Sequence, residues 1–219
     1  MAASSPKPAV ELWIRQVGSL WCGIAGHEGR LVATSVAERH EDALRFLRLS
    51  LPDGVTGSLA EGWSDFAEST ARMLAAIESG DESGKRFVLS PLFVPEPSAT
   101  VYRLVAAIPL GYACSYGRIA EAAGTIAREV GRLMATNPLY PIVPCHRVVG
   151  ADYSLVGYRG TTSGSDLDDK LARLLAEARG YREELTLESA GALLVFPVER
   201  VIDRVRRGRG NEEHQLSLW

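Results

Sequence analysis

Cys145 lies in the run Pro144-Cys145-His146-Arg147-Val148-Val149-Gly150, with Ile142-Val143 immediately before it and Asn137-Pro138 a few residues upstream. The thiolate, not the thiol, is the nucleophile, and an imidazole, basic groups or a helix N-terminus close by favour it. A cysteine followed by histidine and arginine, with apolar residues on both sides, therefore has the parts of a nucleophilic centre. Adjacency alone does not bring the imidazole onto the sulfur, because neighbouring side chains often diverge, but histidine can act directly or through one water. Taken by itself, the pair favours the plainer reading of a buried structural cysteine beside a surface histidine.

The other cysteines are Cys22 and Cys114. Three cysteines, with no apolar leader at the start of the sequence, predict reduced thiols rather than a disulfide framework. Cys22 and His27 hint at metal ligands, but two groups are too few for a closed zinc site, and Cys114 falls in the other half of the chain. The expectation is no metal and no organic cofactor.

The elements that must position these residues can be read from periodicity. From Val10 to about Glu38, apolar stretches including Leu12-Trp13-Ile14 and Leu20-Trp21-Cys22-Gly23-Ile24, together with Gly26-His27-Glu28-Gly29, predict strands joined by a tight turn. Helices are predicted over 41–49 and 64–78. In the second, Phe66, Met73, Leu74 and Ile77 form the expected apolar stripe, Ser64 the cap and Gly80 the stop. The proline-bearing stretch 81–98 reads as a linker, with a boundary near residue 92. Beyond it, Val101, Leu104, Val105 and Ile108 recur at helical spacing up to Pro109. Two short helices follow: Ser115 caps the first, Ala120 and Gly124 mark a tight joint, and Ile126, Val130, Leu133 and Met134 are expected on the inner face of the second. That pattern suits a helix-turn-helix and equally an ordinary corner of two helices. A further helix is predicted over 166–179, with Leu167, Leu171 and Leu174 as its buried stripe and Glu177 beside Leu174.

The chain has 219 residues, 46% hydrophobic and 23% charged, with a formal net charge of -3. This is ordinary for a soluble protein of two small domains, and no apolar run approaches the roughly 18 residues needed to span a bilayer. The protein is expected in the cytoplasm, as a monomer. Nothing in the overall charge points to nucleic acid, so any DNA surface must be a local basic patch. Of its basic residues only Lys7, Lys85 and Lys170 are lysine.

Asn137-Pro138, a short apolar run, Pro144-Cys145-His146-Arg147-Val148-Val149 and then Gly157-Tyr158 closely resemble the O6-alkylguanine-DNA alkyltransferase family. The resemblance spans roughly 101–177, including Ser115-Tyr116 and Ala127-Arg128. It implies an α/β fold: a small ribonuclease-H-like N-terminal domain over 9–91, then a mostly helical winged helix-turn-helix domain over 92–208 with a C-terminal extension; the residues at either end read as a disordered tail (1–8) and a flexible tail (209–219). It also implies a suicide repair protein that binds the minor groove, flips O6-alkylguanine out of duplex DNA and takes the alkyl group irreversibly onto Cys145. His146 would be the base acting through water, Glu177 the carboxylate that orients it, and Asn137 the brace of the cysteine turn. Tyr116 would donate to the flipped guanine and rotate its phosphate outward. Arg128 would fill the vacated stack, Thr125 and Arg132 would meet the DNA, and Val148, Tyr158 and Arg159 would line the pocket. A non-catalytic lesion-binding relative and an unrelated Cys-His hydrolase stand as alternatives.

Several positions depart from that family's pattern. Glu129 and Arg132 occupy places on the recognition helix where small residues are usual, Tyr116 and Arg128 lie closer in sequence, and Arg159 replaces a small polar residue. Tyr140-Pro141 puts a bulky ring before the cysteine. The chain also continues past the family's usual end, with a strand expected over 193–196 and a basic helix bearing Arg200, Arg204, Arg206 and Arg207 as a capping element. After Gly208-Arg209-Gly210, the last five residues, Gln215-Leu216-Ser217-Leu218-Trp219, resemble the peptide by which bacterial repair and replication proteins bind the sliding clamp.

Overall fold

A computed structural model describes residues 9–158 and 164–216, with side chains of the last helix described to residue 208. The N-terminal tail, Arg159 and the last three residues of the clamp-like peptide lie outside the described residues. The chain divides into two compact units: residues up to Ala99 together with Pro138–Ile142, and Thr100–Asn137 together with Val143 onward. No helix among the described residues is long and apolar enough to cross a membrane.

The first unit is a sheet of β1 (Val10–Val17), β2 (Leu20–His27) and β3 (Arg30–Ala37) as an antiparallel meander, with β4 (Gly57–Leu59) parallel to β1. The β2–β3 connection is Glu28-Gly29, both at positive φ, the conformation whose twist matches that of paired strands. Helices α1 (His40–Leu49) and α2 (Asp65–Glu78) pack on this sheet, and Ser64 caps α2 by accepting from the Ala67 N–H. The buried face of α2 is Ala67, Thr70, Ala71 and Leu74, not the expected stripe: Phe66, Met73 and Ile77 flank it, half-buried. Small residues at the contact let the helix lie close, and the larger ones fill the margins. The stretch read as a linker pairs in part with β3, since Leu31 N donates to Val88 O and Ser90 N to Leu31 O. Pro91, Pro95 and Pro97 all follow this short segment and so do not stop its own amides from pairing.

The segment 138–142 joins this unit by the same edge. Thr34 donates from its backbone N to Pro138 O and from its hydroxyl to Tyr140 O, each at 2.8 Å, and the Tyr140 hydroxyl bonds Glu78.

The second unit carries α3 (Ser98–Ala107), β5 (Tyr112–Ser115), α4 (Tyr116–Ala122), α5 (Ala127–Ala135), β6 (Val148–Val149), α6 (Ser165–Glu177), β7 (Leu185–Leu187), β8 (Leu193–Pro197) and α7 (Val198–Leu216). Its sheet has the order β6-β5-β8-β7, with β5 and β6 parallel and the other pairs antiparallel. The C-terminal extension is thus an inner part of the unit, not a cap on it. Phe196, Val198, Val201 and Ile202 share one buried cluster with Ala113, Val149 and Leu174. Helix α7 runs on through Gly208 and Gly210 to Leu216, where a break was expected. Glycine costs a helix about 1 kcal/mol relative to alanine and lowers its stability without forbidding it.

Helices α4 and α5 form the expected compact pair. Ser115 caps α4 through the Arg118 N–H, Gly124 turns at φ 66°, and Val130, Leu133 and Met134 are buried. Ile126 is the exception at 66% exposure. It is the cap residue of α5 in extended conformation, so the helical spacing that selects the buried face does not apply to it.

Candidate active site

The cysteine turn is fixed from behind by one carbonyl. Val143 O accepts from Asn137 Nδ2 at 2.8 Å and from Cys145 N at 2.9 Å, and Arg147 N closes the turn onto Pro144 O. Cys145 opens a single 3-10 turn and is 6% exposed; Val148-Val149 then leave it as the strand paired with Cys114-Ser115. A reactive group held between a side-chain brace and a strand has little freedom to wander, which is what alignment for displacement requires.

Helix α6 delivers two charged groups to this turn. Its buried stripe is Lys170, Leu174 and Glu177, at i, i+4 and i+7, whereas Leu167 and Leu171 are only half-buried. Glu177 Oε1 lies 2.7 Å from His146 Nε2, and the Arg147 guanidinium grips the same carboxylate through Nε at 2.9 Å and Nη2 at 2.8 Å. The third arm of Arg147, Nη1, donates to Ile108 O at 2.7 Å. Burial pushes the Glu177 carboxyl up, but the bonds from His146 and Arg147 outweigh it and hold the group at about 2. Burial pulls His146 below its ordinary value, with Glu177 pulling the other way.

These two states fix a tautomer. An ionised carboxylate only accepts, so His146 Nε2 carries the hydrogen and Nδ1 keeps the lone pair. Nδ1 is buried and has no hydrogen-bond partner among the described residues. It is the basic nitrogen of the site.

Lys170 has no exposed surface. Its ammonium donates to Val148 O at 2.7 Å and Gly157 O at 3.0 Å, and lies 5.8 and 5.9 Å from the ring centres of Tyr116 and Tyr158. Burial pulls it down to about 8, opposed by the charge available on Cys145. A cation that faces two aromatic rings and senses the sulfur favours a thiolate there. Tyr116, half-buried, donates to Val156 O at 3.1 Å, and burial, then the Cys145 charge, raises its hydroxyl to about 12. Val148 and Tyr158 are buried beside Lys170.

The residues expected to do chemistry therefore converge: Cys145, His146, Glu177, Asn137 and Tyr116 share this centre. Arg128, Arg132 and Thr125 stand apart on the helix pair. Arg128 is exposed, Thr125 N closes the turn onto Ala120 O, and Arg132 is held by Glu129 through a two-pronged ion pair at 2.9 and 2.6 Å. Arg147 and Lys170 were missed as functional groups by the sequence reading. A signal existed for Lys170, which falls on the same helical face as Leu174 and Glu177.

Residues 96–179 match the family model described as 6-O-methylguanine DNA methyltransferase, DNA binding domain. The methylated-DNA--protein-cysteine methyltransferase of Methanocaldococcus jannaschii is 32% identical over 145 residues, covering 66% of this chain and 83% of that protein. The protein of the same name from Mycolicibacterium paratuberculosis is 44% identical over 89 residues, 40% of this chain and 51% of that protein. With that protein and that from Pyrobaculum aerophilum, of which 36% is covered, the chain spans about half or less of the relative's length. Among solved structures, the O6-methylguanine-DNA methyltransferase of Pyrococcus kodakaraensis matches 78% of this chain and 99% of its own, at 27% identity and a TM-score of 0.52. Mycobacterium tuberculosis OGT in complex with DNA matches 77% and 93%, at 25% identity and a TM-score of 0.52.

The depressed Glu177 carboxyl sets an acid limit on stability. It binds a proton less readily folded, at about 2, than unfolded, at its ordinary 4.5, so its contribution is whole above 4.5 and is lost as pH falls toward 2. Glu177→Gln, which strands the Arg147 charge, is expected to cost about 3–5 kcal/mol at neutral pH and to flatten the stability curve between those limits. Denaturant unfolding measured across pH checks both; an acid limb unchanged in the variant contradicts the assignment.

Proposed function

The chain belongs to the methylated-DNA–protein-cysteine methyltransferase family, and from that premise we propose that it is a single-turnover repair protein that moves the alkyl group of O6-alkylguanine in duplex DNA onto Cys145. The observation that carries this reading is the convergence of Cys145, the His146–Glu177–Arg147 network and buried Lys170 on one turn.

The chemistry follows from the atoms present. The Cys145 proton passes to His146 Nδ1, directly or through one water, and Glu177 stabilises the imidazolium that forms. Arg147 shares the Glu177 charge, which keeps the carboxylate from holding the imidazole permanently protonated. The thiolate, steadied by Lys170, attacks the alkyl carbon in line with the C–O6 bond. A carbon–sulfur bond forms, the carbon–oxygen bond breaks, and its electrons leave with guanine. The Tyr116 hydroxyl supplies the proton the guanine gains, and the proton taken from the thiol replaces it, so the balance closes with no outside reactant. The product is a thioether, a poor leaving group, and one turnover is the consequence.

Tyr116 spends its hydroxyl on Val156 O in the free protein and exchanges that acceptor for the base. Val148 and Tyr158 line the pocket for the flipped guanine. Arg128 enters the base stack, and Thr125 and Arg132 contact the strand, with Glu129 limiting how freely Arg132 reaches phosphate. The protein works in the cytoplasm as a monomer, and Gln215–Trp219 engages a sliding clamp, with Leu218 and Trp219 as anchors.

Incubation with a duplex containing O6-methylguanine is expected to add one methyl per chain, mapped to Cys145 by peptide mass and abolished in Cys145→Ser. Tight binding with no gain in mass would make the protein a lesion binder instead, and turnover of a thioester without DNA affinity would make it a hydrolase. Deleting residues 215–219 is expected to remove measurable clamp binding on a surface sensor; unchanged binding would end the clamp reading.

A further inference from the structure

Helix α6 ends at Glu177, where Ala178 N donates to Leu175 O and the Arg179 guanidinium donates to Ala176 O and Ala178 O. Ala178 leaves the helical conformation, and the next two amides, of Arg179 and Gly180, donate outside the helix. Both are taken by one oxygen from outside: Glu199 Oε1 accepts from Arg179 N at 3.0 Å and from Gly180 N at 2.5 Å. Glu199 lies in the first turn of α7, whose opening residue Val198 donates its N–H to Gly111 O at 3.0 Å. On the other side of this junction Tyr181 stacks on Tyr112 with ring centres 5.1 Å apart, and Gly111, at φ 85°, makes room for it. The loop before Gly111 contains Ile108, whose carbonyl holds Arg147.

We infer that Glu199, in the C-terminal extension beyond the matched residues 96–179, is a positioning residue for the nucleophile, acting through Glu177 and His146. Its carboxylate ties the end of α6 to the start of α7. The α7 start is itself fixed, because β8 pairs with β5 and Val198, Val201 and Ile202 lie in the cluster that holds Val149 and Leu174. The bonds from Glu177 to His146 and Arg147 are 2.7–2.9 Å long. Such bonds tolerate only a few tenths of an ångström before they weaken. Release of the helix end lets Glu177 drift, the imidazolium loses its carboxylate, and proton removal from Cys145 becomes harder. The extension is therefore part of the working site.

The inference rests on the reading of Cys145 as a thiol activated through His146, so its test uses thiol chemistry that needs no DNA. Wild type, Glu199→Ala, Glu199→Asp and Glu199→Gln are treated with iodoacetamide across pH, and carbamidomethylation of the Cys145 peptide is followed by mass spectrometry. The peptides of Cys22 and Cys114, both fully buried, report in the same digest whether a variant has unfolded. Glutamine keeps an oxygen that can accept both amides; aspartate keeps the charge but falls short by one methylene. Alanine and aspartate are expected to slow modification of Cys145 about tenfold at neutral pH, as small misplacements of catalytic groups do, and to move its pH midpoint upward. Glutamine is expected to behave as wild type. Alanine and aspartate variants that match wild type in rate and midpoint overturn the inference, and so does a glutamine variant as slow as alanine with Cys22 and Cys114 still protected. Methyl transfer from an O6-methylguanine duplex is measured in parallel. A wild type that reacts with iodoacetamide but gains no methyl defeats the proposed repair activity and leaves the Glu199 result standing.

Discussion

One buried carboxylate organises the second unit. Glu177 receives the imidazole of His146 and two nitrogens of Arg147, and Arg147 spends a third nitrogen on Ile108 O. A charge taken out of water is tolerated only when its partners are in place, and removing one partner of such a pair costs about 3–5 kcal/mol. The network is therefore a geometric constraint: α6, the loop before β5 and the cysteine turn must meet in one arrangement or none. It holds Glu177 as an anion, while burial, against the pull of Glu177, keeps the His146 imidazole neutral and leaves a lone pair at Nδ1.

Lys170 is the second buried charge on the same helix face, and its burial works against stability, since its ammonium is pulled down to about 8. Its three nearest carbonyls and two rings offset part of that cost. The comparison with the other thiols shows what such a neighbour changes. Burial pushes Cys22 up to about 11, with Glu78 adding to it, and Cys114 up to about 12, against opposing pulls from Arg118 and the Ser115 backbone. Cys145 differs from both in sensing a fully buried lysine and in preceding a histidine whose basic nitrogen is fixed.

Much of this was legible in the sequence, and the failures have physical causes. The run Pro144 to Gly150, with Asn137, Tyr116 and Glu177, pointed to the centre through its resemblance to the alkyltransferase family, since Cys145-His146 alone favoured a structural cysteine, and the geometry brings those residues together. Ile126 was misplaced because a cap residue does not obey helical spacing, and α2 because alanines at a close helix–sheet contact are buried more deeply than the large residues beside them. The stripe of α6 was read from its leucines, although its buried positions are Lys170, Leu174 and Glu177. A hydrophobic pattern cannot announce buried charges. The pairing of β8 with β5 and the bond from Glu199 to the end of α6 join residues far apart in sequence, and no local signal marks them.

The state of the His146 ring tests this account most directly. With the protein labelled with nitrogen-15 in its histidines, the side-chain shifts and one-bond couplings at neutral pH are expected to show a neutral ring whose hydrogen resides on Nε2 and whose Nδ1 is bare. A His146 ring protonated on Nδ1 alone, or on both nitrogens throughout the neutral range, would contradict it.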